Sequence, residues 1–227
     1  MKFREIFRFE FRYQSRRVRT WLYFAVLFVV AFMLRGDGVN FPFAIAQETI
    51  LTGMLWILMA PVVAGSAAAR DVQTRMHPLV YTTPISKTDY LGGRFLAAFV
   101  LNALLLLAVP LGMLANFLGP GVKSEIVGPF PPAVYFSAYG VLALPTAFTF
   151  TALQFSLAAL TRRAVVSYLG TVLFFVPVGA TVAVVTNVLR RPTLGTLLDP
   201  TVRIILVIIP ETLTPLGLNT ALYGMAK

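Results

Sequence analysis

Four stretches of this chain carry no charge at all. Residues 49–69, 95–122, 126–161 and 164–189 contain no Asp, Glu, Lys, Arg or His, and each exceeds the roughly 18–20 apolar residues needed to cross hydrocarbon. Inside a bilayer the backbone has no water to bond, so a run of this length must close its hydrogen bonds within itself, as a helix. A fifth run, residues 20–34, is shorter and spans if flanking arginines snorkel. Only 12% of residues are charged, about half the share of a soluble domain. The expected fold is therefore all-α: a polytopic transmembrane helical bundle with five spans, at about 20–34, 49–69, 95–118, 133–160 and 164–189. A broken or re-entrant sixth segment is expected at 202–226, making 20–227 one membrane domain.

The net charge of +10 could invite nucleic acid, but its placement argues otherwise. Lys2, Arg4, Arg8, Arg12, Arg16, Arg17 and Arg19 precede the first span. Arg70, Arg75, Lys87 and Arg94 lie between the second and third, and Arg162 and Arg163 follow the fourth. If the chain crosses at every run, these fall on one side, which the positive-inside rule makes cytoplasmic. An inner-membrane, multi-pass protein with a cytoplasmic N-terminus follows, with anionic lipid headgroups and no nucleic acid as partners of the charge. The chain has no cysteine and one histidine, so no disulfide framework or thiolate site is expected. No cleavable leader is expected either, because the first apolar run lacks a small-residue cleavage site.

Residues 1–19 read as an interfacial amphipathic helix. At 100° per residue, Phe3, Ile6, Phe7, Phe9, Phe11 and Tyr13 share one broad arc, and Arg4, Arg8, Arg12, Arg16 and Arg19 cluster on the other. Glu10 intrudes on the apolar arc. Such a helix lies in the headgroup plane and hands over to the first span at Trp21 and Tyr23; a basic leader that only sets orientation is the plainer alternative. Residues 35–48, with "NFPF", are expected as an outer loop. In span two, Ala60, Ala64 and Ala68, with Gly65 and Ala69 beside them, permit close helix packing. Pro110 should kink span three, and span four carries Pro145 with Thr146, Thr149, Thr151 and Gln154. Span five should break near Pro177 and Gly179. Glu211, near the middle of 204–226, would cost a few kcal/mol in lipid unless paired. Arg190 and Arg191 would fall outside after five crossings, against the charge rule. A sixth span, a re-entrant hairpin and an outer tail are all compatible with this end.

Residues 70–94 would then form the main cytoplasmic loop, "RDVQTRMHPLVYTTPISKTDYLGGR". Its first part can extend span two until His77-Pro78 breaks the helix. Leu79, Val80 and Tyr81 offer a small apolar knob. Ser86, with Asp89 three residues on, forms a capping box that starts the next helix.

This loop, "ARD…R…PLVYTTPISKTDYLGGRF", resembles the first cytoplasmic loop of ABC-2 type transporter permeases, where a Thr-Pro-(Ile/Val)-Ser signature leads into the third span. "TRR" at 161–163 is similar to that family's second short cytoplasmic turn. The likeness covers about residues 1–200, with "TTPIS" its specific part, and is nearest to larger permeases fused to a zinc aminopeptidase. No His-Glu-x-x-His occurs in this chain, and the sequence after "LLDP" departs from the family. The resemblance implies a permease subunit, an exporter, coupled through 70–94 to an ABC ATPase on a separate chain and paired with a homodimer mate or second permease half. It further implies Leu79, Val80 and Tyr81 as the plug seated in the ATPase, Arg70, Asp71 and Arg75 as a charged brace or rim, and Thr83, Pro84 and Ser86 as the turn that sets the plug's angle. His77 belongs to that turn. Asn102, Thr146, Thr149 and Gln154 would line a path.

Two other classes compete. A membrane enzyme needs acid, base or metal groups facing a cavity, yet the five span cores hold no ionisable residue except tyrosine. No catalytic, cofactor-binding or metal-ligating set is therefore expected, and no Walker motif is present. The third class is a non-transporting membrane scaffold, or the N-terminal part of a larger ABC-2 permease–aminopeptidase fusion.

Overall fold

A computed structural model describes residues 2–34, 42–76, 82, 84–117 and 132–184, and these residues contain helices and no strand. The helices are α1 (Lys2–Ser15), α2 (Val18–Met33), α3 (Pro42–Gln73), α4 (Lys87–Leu106), α5 (Ala108–Phe117), α6 (Pro132–Ser137), α7 (Leu144–Thr161) and α8 (Val165–Ala183). A π-helical turn, Ala138–Ala143, joins α6 to α7. Three 30-residue helical stretches, Ala44–Gln73, Lys87–Asn116 and Pro132–Thr161, are long and apolar enough to cross a membrane; Val18–Met33 and Val165–Phe174 are shorter apolar helices. The postulated segment at 202–226 lies outside the described residues.

α3 is the central post. It packs on α7, α4 and α8, while α2 packs on α5 and α1 on α4. Most of the small residues expected to allow close approach do so. Ala60 and Ala64 are fully buried and Ala69 nearly so, Ala68 is only partly buried, and Gly65 abuts the Ser167 hydroxyl and the Ala164 carbonyl of the α8 entrance. Gly112 brings α5 against α2 so tightly that a Cβ there would sit 2.5 Å from the Phe28 carbonyl oxygen. In lipid such packing, with interhelical hydrogen bonds, replaces the hydrophobic drive that water supplies to soluble cores. Around this small-residue seam, Trp56, Leu27, Ile45 and Ile57 fill the interior. Phe95 and Phe99 of α4 meet Phe148 and Phe155 of α7 edge to face, with centroids 5.5–5.7 Å apart.

Four boundaries differ from the sequence reading. α3 begins at Pro42, so residues 42–48 are helix and not loop; proline at the first helical position loses no hydrogen bond. α3 ends at Gln73, before His77-Pro78. The stop is a left-handed Arg75 (φ 57°), with Arg75 N–H donating to Val72 O and Met76 N–H to Asp71 O, which is the Schellman pattern. A non-glycine residue in that region carries about 1–2 kcal/mol of strain. Arg75→Gly should therefore raise stability by about 1 kcal/mol, read as a higher melting temperature in detergent; a fall would mean that the Arg75 side chain holds the turn. Third, α8 runs unbroken past Pro177 and Gly179 to Ala183. Last, the span-three interruption falls at Leu107, between α4 and α5, three residues before Pro110. Leu107 N–H still bonds Ala103 O and Leu104 O, and the ring of Pro110 leaves the preceding turn to distort.

Span four carries a comparable distortion upstream of Pro145. Leu144 N–H reaches back five residues to Tyr139 O, the π spacing.

Candidate functional site

A cluster of charged residues lies at one end of the apolar bundle, where α1, the end of α3 and the start of α4 meet. Glu10, read from sequence as a flaw in an apolar arc, is the hub. It is fully buried and accepts a bidentate pair from Arg70, Nη1 to Oε1 at 3.0 Å and Nη2 to Oε2 at 2.7 Å. Arg94 approaches the same carboxylate, Nε to Oε2 at 3.6 Å. It also donates to Asp71 Oδ1 at 2.7 Å and to the Tyr90 hydroxyl at 2.8 Å, and Tyr90 in turn donates to Asp71 Oδ2. Gln14 closes the other flank, donating to Glu10 Oε1 at 3.1 Å and to Ser66 Oγ at 2.7 Å. Two arginines therefore face two carboxylates, and planar guanidinium forks suit such bidentate contacts.

The arrangement follows from where each helix puts its residues. Glu10 and Gln14 are one turn apart on α1. Arg70 and Asp71 lie in the last turn of α3, and Tyr90 and Arg94 are one turn apart on α4. α1 can come this close because α4 carries Gly92-Gly93 at the contact. A Cβ on Gly93 would lie 3.0 Å from Phe3 O and 3.1 Å from Ile6 Cγ2. The docked edge of α1 therefore runs through Phe3, Ile6, Glu10 and Gln14, and the expected apolar arc is split by it. Phe7 and Phe11 stack on one shoulder and Phe9 and Tyr13 on the other. Arg70 lies over the Tyr13 ring at 4.3 Å and Arg94 over the Tyr90 ring at 4.7 Å, so both cations also gain aromatic faces. On the Phe9 shoulder, a cavity of about 830 Å³ opens beside the cluster, with Met76 and Ile85 on its far wall.

Each residue singled out from sequence has a place here or lies beyond what is described. Arg70 and Asp71 are in the cluster, with side chains 14% exposed, turned inward and not outward as a rim. Arg75 is exposed and ends α3. Pro84 is exposed and accepts a hydrogen bond from Lys2 Nζ through its carbonyl, which ties the start of α1 to the approach of α4. Ser86 is the N-cap of α4, its hydroxyl accepting from Asp89 N–H at 3.0 Å, as the capping box requires. Leu79, Val80, Tyr81 and Thr83, with His77, lie outside the described residues.

The supposed path residues divide. Asn102 donates to Thr151 Oγ1 at 3.0 Å, and Gln154 donates to Thr171 Oγ1 at 3.1 Å and Ile57 O at 3.2 Å. All four side chains are buried and join α4 to α7, and α7 to α3 and α8. Such bonds inside a bilayer contribute on the order of 1 kcal/mol each. Thr146 donates to Leu142 O in the π-helical turn that precedes α7, beside a void of about 30 Å³, and Thr149 is exposed. Residues that sequence reasoning did not select are Glu10, Gln14, Ser66, Tyr90 and Arg94. The available signal was a lone acid on the greasy face of a basic helix, together with arginines bordering two charge-free runs.

Among the described residues, the fold and cluster together define an all-helical bundle with three helices long and apolar enough to cross a membrane and an ion-paired joint at one end. No protein-family model, curated protein or solved structure matches the chain.

Proposed function

We propose that this chain is the membrane-spanning subunit of an ABC-2 type transporter, an exporter of the inner membrane with its N-terminus in the cytoplasm. ATP hydrolysis occurs on a separate cassette ATPase, and a homodimer mate or second permease half completes the path. The chain itself performs no covalent chemistry. The loop signature "TTPIS" motivates the family, and the Glu10–Arg70–Asp71–Arg94 joint is the observation that best supports the mechanism. It fastens together the two helix ends that flank the loop, and α1 with them.

A force applied to Leu79, Val80 and Tyr81 would otherwise be lost in bending two independent helix ends. Breaking one partner out of a buried ion pair costs about 3–5 kcal/mol, so α1, α3 and α4 tilt as one body. The α4–α5 interruption at Leu107 and the π turn before α7 are the places where that tilt can be absorbed. The Asn102–Thr151 and Gln154–Thr171 bonds then carry it across to α7 and α8.

The test is co-expression with each cassette ATPase of the same genome that lacks membrane spans, followed by purification through this chain. The wild type should retain one ATPase; Leu79→Asp and Tyr81→Ala should lose it while staying in the membrane. Capture of no ATPase by the wild type, or equal capture by both variants, overturns the reading.

A further inference from the structure

A groove of about 450 Å³ runs beside the corner between α1 and α2, with Phe11, Trp21, Phe24, Leu101, Leu104 and Leu111 along it. Two more of its residues, Ser15 and Thr20, are polar, but neither they nor the Trp21 indole has a donor to spare. Ser15 Oγ donates to Arg12 O at 3.2 Å, Thr20 Oγ1 to Gln14 O at 2.9 Å and Trp21 Nε1 to Ser15 O at 2.8 Å. A polar ligand would find no donor here, whereas an alkyl chain fits.

Depth points the same way. The last charged residue of α4 before its apolar run is Arg94, and Leu101 to Leu111 lie 7 to 17 residues beyond it. At 1.5 Å per residue that is roughly 10–25 Å into the apolar stretch, so the groove starts in the leaflet next to the basic end and reaches past the middle of a core about 30 Å thick.

The mouth is basic. At 100° per residue, Arg8 and Arg12 lie with Ser15 on the basic arc of α1, which adjoins Phe11 at the edge of the apolar arc. Both are exposed. Neither side chain has an ion pair or hydrogen bond among the described residues, unlike Arg70 and Arg94.

We propose that this groove is a lipid site: it takes one acyl chain of an anionic membrane phospholipid, whose phosphate headgroup lies on Arg8 and Arg12. The lipid wedges the corner between α1 and α2 and so fixes the angle at which α1 meets the bundle. The proposal needs only a bilayer around the apolar helices and stands whether or not the chain is a permease.

The test uses the full chain in vesicles containing chain-labelled, spin-bearing phosphatidylglycerol or phosphatidylcholine. Motionally restricted lipid is counted by electron paramagnetic resonance. The wild type should favour phosphatidylglycerol. Arg8→Gln with Arg12→Gln should reduce that preference by up to about 25-fold, since each basic side chain near the surface contributes on the order of a factor of five. Leu104→Trp should fill the groove and lower the restricted population of both lipids. Leu104 is 39% exposed, which leaves room for the larger ring, and the arginine pair decides the matter alone if that variant fails to fold. Equal retention of the two lipids by the wild type overturns the proposal, as does a preference that survives the arginine changes or a restricted population that ignores Leu104→Trp. The chain has no cysteine, so Leu104→Cys reports separately on a second copy of the chain. Ready disulfide-linked dimers would mean that protein, not lipid, covers the groove.

Discussion

Replacing Glu10 with alanine should lower stability by about 3–5 kcal/mol, the largest single effect expected outside the helix seams. The loss comes less from the bonds removed than from what is left behind. Arg70 and Arg94 would face each other with Asp71 alone to balance them. Gln14 would lose a partner as well. Glu10→Gln preserves shape and one acceptor and should fall between alanine and wild type. Thermal unfolding in detergent measures this, and protease cleavage within residues 2–15 reports whether α1 leaves the bundle first. A Glu10→Ala protein within about 1 kcal/mol of wild type would mean that the joint carries no load. Replacing the acid alone is the severe case, because exchanging a whole buried ionic set for apolar residues is often neutral or stabilising.

Trp56→Ala should cost a similar 3–5 kcal/mol by a different route. Trp56 is fully buried on α3, in the seam where that helix meets its neighbours, and its removal opens a cavity that rigid helices cannot close. The companion substitution makes the prediction sharp. The indole N–H of Trp56 has no hydrogen-bond partner among the described residues, so Trp56→Phe deletes an unsatisfied donor while keeping most of the ring. It should cost less than about 1.5 kcal/mol. If both substitutions were equally damaging, the indole nitrogen would have to be making a bond.

The long apolar helices were legible because exclusion of charge is a strong signal over twenty residues, and no tertiary contact is needed to read it. Ser86 was legible because a capping box is local. Helix ends were less so. "NFPF" looks like a turn until Pro42 is seen at the first helical position, and Arg75 ends α3 in a conformation that sequence associates with glycine. Pro177 looked like a break because a proline interrupts a helix in water, whereas neighbours in a bundle can re-satisfy the freed carbonyl. The joint was the least legible feature. Glu10, Arg70 and Arg94 are separated by 60 and then 24 residues, and nothing local says that three charges so far apart will meet. Seen alone, Glu10 is a blemish on an amphipathic wheel; beside two arginines it becomes the reason that the wheel docks.

The bond from Lys2 to the Pro84 carbonyl has a practical corollary for anyone handling this protein. It fixes the amino end of the chain within a few ångströms of residues that lead out of the loop. A fluorescent or affinity tag appended to Met1 would emerge on that same surface and could shield it from a visiting protein. Loss of an interaction with such a fusion would then report the bulk of the tag and not the behaviour of the native chain.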